Sequence, residues 1–456
     1  MNLYRWSNWA WSRPDIAGCN RRPAGSTIGV VLVSIWLLSA AEFVSVKCVN
    51  GQDRPAQAGS QTSPAIPDGL APGPQDAAPS TDGEVAAQPA QAQHGQEQNN
   101  QLPKAEWLFA PIPMSSPAIG SGLEWAVARV FPLSMQDKTS PTSVVGVGGL
   151  ITNNGSRALA LGGKLHFNKD EYRLTGFVGY ASINADIYGI GKNAGDRGVF
   201  VPLTGNGSGL LAQFLFRLKK DVYLGPRAQY RNLSISVDWE ELGIPDNDTD
   251  TPEDIRDLID QVRTDLSQQQ TVSIGPRFEW DTRDNAYYPK RGFLLDYYTD
   301  FFAESLGSEF SYQYTKFAFN KYNGMSEHQV IAFRGMGCAA TGGHVPIYDL
   351  CLFGNNNDLR GYTAGRYQDR RMFAAQAEYR LSLPVKGFLG RFGVVGFAGF
   401  GAVSPEFTSI GFSDLLPGGG GGIRFRLTKE NPINFRVDVG FGKVGHTLNI
   451  GVAEAF

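Results

Sequence analysis

Residues 355–384 read NNNDLRGYTAGRYQDRRMFAAQAEYRLSLP. A polar loop carrying Leu359-Arg360-Gly361-Tyr362 runs into a two-residue alternation. Phe373, Ala375, Ala377, Tyr379, Leu381 and Leu383 form one set; Ala374, Gln376, Glu378, Arg380 and Ser382 form the other. A strand points successive side chains to opposite faces, so one face here is apolar and the other polar or charged. Two architectures use such a strand. A soluble sheet buries the apolar face, whereas a membrane barrel turns it to lipid and keeps charge inside.

The same alternation recurs around it. Ile274, Phe278 and Trp280 oppose Arg277, Glu279 and Asp281. Ile423, Phe425 and Leu427 oppose Arg424, Arg426 and Thr428. Ile433, Phe435, Val437, Val439 and Phe441 oppose Asn434, Arg436 and Asp438. From Trp107 to the last residue the chain is strands and turns, most strands about ten residues or longer, near the ~9–11 that cross a bilayer at a tilt. Tight junctions such as Asn153-Asn154-Gly155 and Asn168-Lys169-Asp170 suit hairpins, because Asn, Asp and Gly tolerate positive φ. One helical passage interrupts them, Pro252 to Leu266, with Ile255, Leu258, Ile259, Val262 and Leu266 at helical spacing.

Composition agrees. Of 456 residues 55 are glycine, aromatics make up 12%, charged residues only 19%, and the net charge is −3, which leaves no footprint for nucleic acid. Residues 1–48 have the order of a secretory leader: Arg13, Arg21 and Arg22, then the apolar run Ile28 to Leu38, then Ser39-Ala40-Ala41. Residues 49–104 turn to Gln, Ala, Pro, Gly and Ser with almost no aromatics, a segment that cannot bury enough apolar surface to offset its ordering entropy and is expected to be a disordered tail. Residues 105–456 are expected to form an all-β transmembrane antiparallel barrel, because length, leader and the absence of a helical partner layer all favour it over a soluble sandwich.

Gly275 to Asn285, GPRFEWDTRDN, followed by Tyr288-Pro289-Lys290-Arg291-Gly292, resembles the DTRDN…P-x-x-G hairpin of the bacterial surface antigen family, the BamA/TamA-type outer-membrane assembly and translocation barrels. Leu359-Arg360-Gly361-Tyr362 is similar to that family's loop motif, Glu378-Tyr379-Arg380 fits the strand after it, and the sequence ends in Phe456. The resemblance implies sixteen strands, with the arginine loop folded into the lumen after strand eleven. Five candidate strands follow the motif and ten precede it. An even count is expected of such a barrel, so either Glu106 to Pro113 supplies a weak first strand or the barrel is smaller; sixteen strands are expected. The resemblance further implies the outer membrane of a Gram-negative-type bacterium, a bilayer around the barrel and client outer-membrane or secreted proteins as partners. A pore-forming or structural barrel without assembly activity is the alternative. Two departures stand out. The 49–104 tail occupies the place of the family's periplasmic client-binding domains. Gly399 stands where the family's F-x-D-x-G pattern has an aspartate.

The site residues follow from this. Arg360 needs a lumenal carboxylate, with Glu378 the leading partner by parity and Asp438 the other candidate; Gly361 permits the turn and Tyr362 packs on the wall. Asp281, Arg283, Asp284 and Asn285 are read as a charge cluster and turn at the periplasmic rim, shaped by Pro289 and Gly292. Cys338 and Cys351 lie in one exported loop and are expected to be disulfide-bonded in an oxidising compartment. Leu448, Ile450, Val452 and Phe456 are expected on one face of a last strand spanning 445–456, a face that Glu454 interrupts. No enzyme, cofactor or metal is expected: the five histidines show no zinc spacing, no G-x-S-x-G occurs, and Gly418 to Gly422 lacks the Lys-Ser/Thr of a phosphate loop.

Overall fold

The structure, a computed structural model, describes residues 105–456 apart from 117–118, 138–139, 199, most of 238–268, 355–357 and 428–432. The leader and tail expected at 1–104 lie outside the described residues. So does most of the helix expected at 252–266, although Arg256, Ile259 and Val262 are helical and Ile259 and Val262 are buried.

Sixteen antiparallel strands close into a barrel. Eleven precede the arginine loop: β1 (Glu106–Ser116), β2 (Gly120–Phe131), β3 (Ser143–Thr152), β4 (Arg157–Phe167), β5 (Tyr172–Tyr188), β6 (Phe200–Lys219), β7 (Val222–Ser236), β8 (Gln269–Asp281), β9 (Arg291–Phe302), β10 (Tyr312–Gly324) and β11 (Gln329–Gly342). The loop itself holds a small hairpin of β12 (Cys351–Phe353) and β13 (Tyr367–Asp369). Five strands follow: β14 (Arg371–Ser382), β15 (Phe392–Ser404), β16 (Leu416–Arg426), β17 (Asn434–Gly442) and β18 (Gly445–Val452). Glu106 to Ser116 is thus the first strand, and β1 meets β18 to close the ring.

The faces decide between the two architectures. Tyr379 is 40% exposed and Ile423 56%, whereas Glu378 and Arg380 on the opposite face are each 1% exposed. Charge lies inside and apolar side chains outside, the inverse of a soluble sheet and the arrangement lipid demands. No described helix is long and apolar enough to cross a membrane.

Both ends of the barrel sequence lie on one rim. The connections there are mostly short, such as Asn168–Asp170 and Lys220–Asp221, while the longer β7–β8, β11–β14 and β15–β16 connections lie on the other. Short turns mark the periplasmic rim and long loops the outer one. β5 and β6, 17 and 20 residues long, overshoot the ~9–11 needed to cross a bilayer. They carry beyond the outer rim a short helix, α1 (Gly191–Arg197), that closes with Gly198 in the left-handed conformation. Sequence periodicity could not find α1: GKNAGDR has no apolar stripe.

One boundary differs from expectation. The last strand stops at Val452 rather than running to Phe456. Ala453 takes a positive φ of 67° and its N–H donates to Asn434 O at 2.7 Å. That conformation, uncommon outside glycine, takes Glu454 to Phe456 out of the strand. Arg380, a lumenal side chain, then reaches Phe456 O at 2.8 Å.

Candidate functional site: the lumenal arginine loop

The loop between β11 and β14 enters the barrel and puts Arg360 against the inner wall, 1% exposed. Nη2 donates to Glu378 Oε2 at 2.5 Å and Nη1 to Asp438 Oδ2 at 2.8 Å. The guanidinium therefore bridges β14 and β17, two strands that are not neighbours in the sheet. Its plane lies over Phe397 of β15, 3.5 Å from the ring centroid, and Gln376 Oε1 accepts a further bond at 3.3 Å. A planar fork with five donors suits this better than a point charge.

The two carboxylates are themselves shared. Glu378 Oε1 accepts from Arg380 Nε at 2.7 Å, and Asp438 Oδ1 from Arg424 Nη1 at 2.5 Å. Arg424 Nε then donates to Glu454 Oε2 at 2.7 Å, and Arg436 lies 3.5 Å from Asp438. Four arginines and three carboxylates thus form one lumenal network. Burial of such charge is tolerated only where it is paired and hydrogen-bonded. Both Glu378 and Asp438 hold the arginine together; neither acts alone. Gly399 faces Gln376 across the β14–β15 pair, and a Cβ there would stand 2.2 Å from Ala375 O. The second carboxylate of the pair comes from Asp438 instead.

The loop tip approaches the wall backbone to backbone. Gly361 has φ 117°, and a Cβ on it would stand 2.6 Å from Phe441 C and O; its N–H donates to Thr447 Oγ1 at 3.0 Å. Only glycine meets both the dihedral and the approach. Tyr362 donates its hydroxyl to Pro417 O at 2.5 Å and accepts from Lys443 N at 3.1 Å. Its ring meets Phe353 and Tyr367 edge-on, at 5.1 and 5.7 Å between centroids. Leu359 is fully buried beside it.

Further anchors hold the loop at the outer end. Cys351 is disulfide-bonded to Cys338, which lies within β11 rather than in the same loop as expected, so the bond ties the loop to the wall. Asp349 accepts from Arg231 Nη1 at 2.8 Å and also bonds Tyr312 Oη. α1 covers the loop from outside: Arg366 Nε donates to Gly195 O at 2.9 Å, Tyr367 Oη to Asp196 Oδ1 at 2.9 Å, and Lys443 Nζ to Asp196 Oδ2 at 2.8 Å. Burial pushes the Asp196 carboxyl up, but hydrogen bonds from Lys192, Lys443 and Tyr367 outweigh it and hold the group down at about 2.

The DTRDN hairpin is turn architecture at the periplasmic rim. Arg283 forks onto Asp281 with Nε–Oδ1 2.9 Å and Nη2–Oδ2 3.0 Å. Asp284 Oδ1 accepts from Lys290 N and Arg291 N, and Asn285 Oδ1 from Tyr287 N and Tyr288 N. Pro289 is buried in the turn. Gly292 restarts the strand with φ 96°, where a Cβ would stand 2.2 Å from Thr282 O. Among the described residues no group of His, Cys, Asp and Glu is arranged to hold a metal ion.

The Omp85 superfamily domain matches residues 153–442, more than half of the chain. The chain belongs to the Omp85 superfamily. Among solved structures this Omp85 barrel is similar to BamA from Haemophilus ducreyi lacking POTRA domains 1–3, with a TM-score of 0.51, 13% identity, and coverage of 76% of this chain and 68% of that one. It is also similar to CdiB from Escherichia coli, with a TM-score of 0.52, 12% identity, and coverage of 77% and 63%. At that identity the likeness is one of fold, and the chain spans about two thirds of either relative's length. No curated protein matches the sequence. The barrel is that of an outer-membrane protein, as Omp85 members of Gram-negative bacteria are.

Three members of the Omp85 barrel's lumenal network were not singled out by the motifs: Arg424, Arg436 and Glu454. The first two share the charged face of their strands, so inward parity marks them, as it does Arg380 of the Glu378-Tyr379-Arg380 match. Glu454 showed only as an interruption of an apolar face. Phe397, beneath Arg360, stands at the first position of the F-x-D-x-G pattern in which Gly399 replaces the aspartate, but that pattern gave it no role.

Proposed function

We propose that this barrel acts in insertion or translocation of client proteins at the outer membrane, by opening between β1 and β18. The observation that carries this reading is the seam. β1 pairs with β2 along all eleven of its residues, yet with β18 it registers at Ser115↔Ile450 alone. β17 and β18 pair from Phe435↔Val452 to Gly442↔Gly445. Pro111 and Pro113 contribute to the weakness, because neither has an N–H to donate and proline belongs on edge strands. The turn at Ala453 shortens β18 from the other end. Parting the seam exposes two strand edges, and an extended client segment adds to such an edge by main-chain hydrogen bonds. The surface-antigen resemblance of the DTRDN and Leu359–Tyr362 motifs supports the same role.

In this reading Arg360 and its carboxylates keep the loop docked while the seam works. The network ties β14, β16 and β17 to the loop and stops one strand short of the seam, apart from Glu454 beyond β18. β18 itself meets the loop through a neutral bond, Gly361 N–H to Thr447 Oγ1, and none of the network's charged residues lies in it. The pore-forming alternative has less support, since the loop fills the lumen with buried side chains. Reconstitution in liposomes with an unfolded outer-membrane barrel as client tests the proposal. Client folding should run several-fold faster than with empty vesicles; equal rates would refute an insertion role.

A further inference from the structure

We infer that the β4–β5 and β6–β7 turns form a binding site for the phosphate of an anionic phospholipid in the periplasmic leaflet. The observations lie where β6 leaves the membrane. Its lipid face runs Leu210, Phe214 and Leu218, all exposed, and Tyr172 of β5 stacks on Phe214 at 5.8 Å between centroids. The β6–β7 register then slips between Arg217 and Lys219. This bulge puts Leu218 and Lys219 side by side at the rim, and Lys219 extends over Trp280, with Nζ 5.1 Å from the ring centroid. Bulges re-aim side chains at barrel rims. Lys220 follows in the turn.

An open cleft of about 550 Å³ lies between these groups, lined by Tyr172, Phe216 and Leu218 on the bilayer side and by Arg217, Lys219 and Lys220 on the aqueous side. Glu171 also lines it, but is engaged by Arg217 at 3.5 Å. Arg217 is fixed further by a bond to Lys169 O at 3.0 Å. Lys219 and Lys220 have no carboxylate partner among the described residues, and both are exposed. Apolar side chains that take acyl chains, topped by two unpaired ammonium groups at headgroup height, match the two halves of an anionic phospholipid. A zwitterionic headgroup lacks the net charge those ammonium groups would balance.

Native mass spectrometry of the full chain in mild detergent tests this by titration with phosphatidylglycerol and with phosphatidylcholine of the same acyl chains. Wild type should bind phosphatidylglycerol more tightly. The Lys219→Gln/Lys220→Gln variant should lose about 25-fold of that affinity, at roughly fivefold per basic residue, and keep its phosphatidylcholine binding. Lys386→Gln, at the β14–β15 turn on the same rim, should bind as wild type does. Unchanged phosphatidylglycerol affinity in the double variant would overturn the inference. So would an equal loss in Lys386→Gln, which would make the effect one of rim charge in general. Displacement of the lipid by millimolar inorganic phosphate would assign the site to a free anion and overturn the lipid assignment. Heat-modifiable migration of each variant confirms that the barrel is folded.

Discussion

Replacing Arg360 by alanine should undock the loop tip without unfolding the barrel. The side chain makes two charge-assisted bonds, to Glu378 and Asp438, and stacks over Phe397. Hydrogen bonds to charged groups contribute about 1.5–3 kcal/mol each, and breaking a buried pair costs about 3–5 kcal/mol because a charge is left unpaired. Here the abandoned carboxylates are not left alone. Glu378 keeps Arg380, and Asp438 keeps Arg424 and Arg436. The lower end, about 3 kcal/mol, is therefore expected, which shifts the docking equilibrium on the order of 100-fold. Hydrogen exchange should show faster exchange of the amides of 358–366, while 347–353 stays protected by the disulfide and by Asp349. Single-channel conductance should rise in the same variant. Arg360→Lys should fall between, since one ammonium cannot fork onto two strands. Exchange and conductance unchanged from wild type would refute the pinned-loop account.

Other outcomes follow from the same contacts. Gly399→Asp, which would complete the F-x-D-x-G pattern, should lower the gel unfolding temperature rather than raise it, because its Cβ meets Ala375 O at 2.2 Å. Reduction of Cys338–Cys351, which closes a separation of 13 residues, should cost about 3 kcal/mol by loop entropy and add to the Arg360→Ala effect on loop exchange. The α1 contact should depend on pH in one direction. The Asp196 carboxyl titrates at about 2 in the folded protein, below its ordinary value, so its contribution is fully present above about pH 4 and lost as pH falls through about 2. Amide exchange in 191–198, corrected for intrinsic rate, should accelerate over that window, and Lys443→Ala should weaken the dependence.

Much of this was legible in the residues, and the gaps have physical causes. The alternation at Phe373–Leu383 and Ile433–Phe441 fixes which side chains share a face, and strand length with a leader tips the choice to lipid outside. Parity put Glu378 and Asp438 in the lumen. That both reach one guanidinium depends on barrel closure and on a loop path that no local pattern encodes. β1 was faint because Pro111 and Pro113 weaken the strand signal, and the same prolines weaken the seam. The end of β18 is hidden in the sequence because Leu448, Ile450 and Val452 continue in register to Phe456, while the positive φ of Ala453 has no residue signature. α1 has too short and too polar a sequence for periodicity to detect.

The seam is tested most directly by locking it. Ser115→Cys with Ile450→Cys places two thiols at the one registered pair of β1 and β18. Oxidation should join them and abolish client folding in liposomes, and reductant should restore it, with wild type under the same reductant as the control for Cys338–Cys351. If the locked barrel still folds its client at the wild-type rate, the seam does not open in function and the account is wrong.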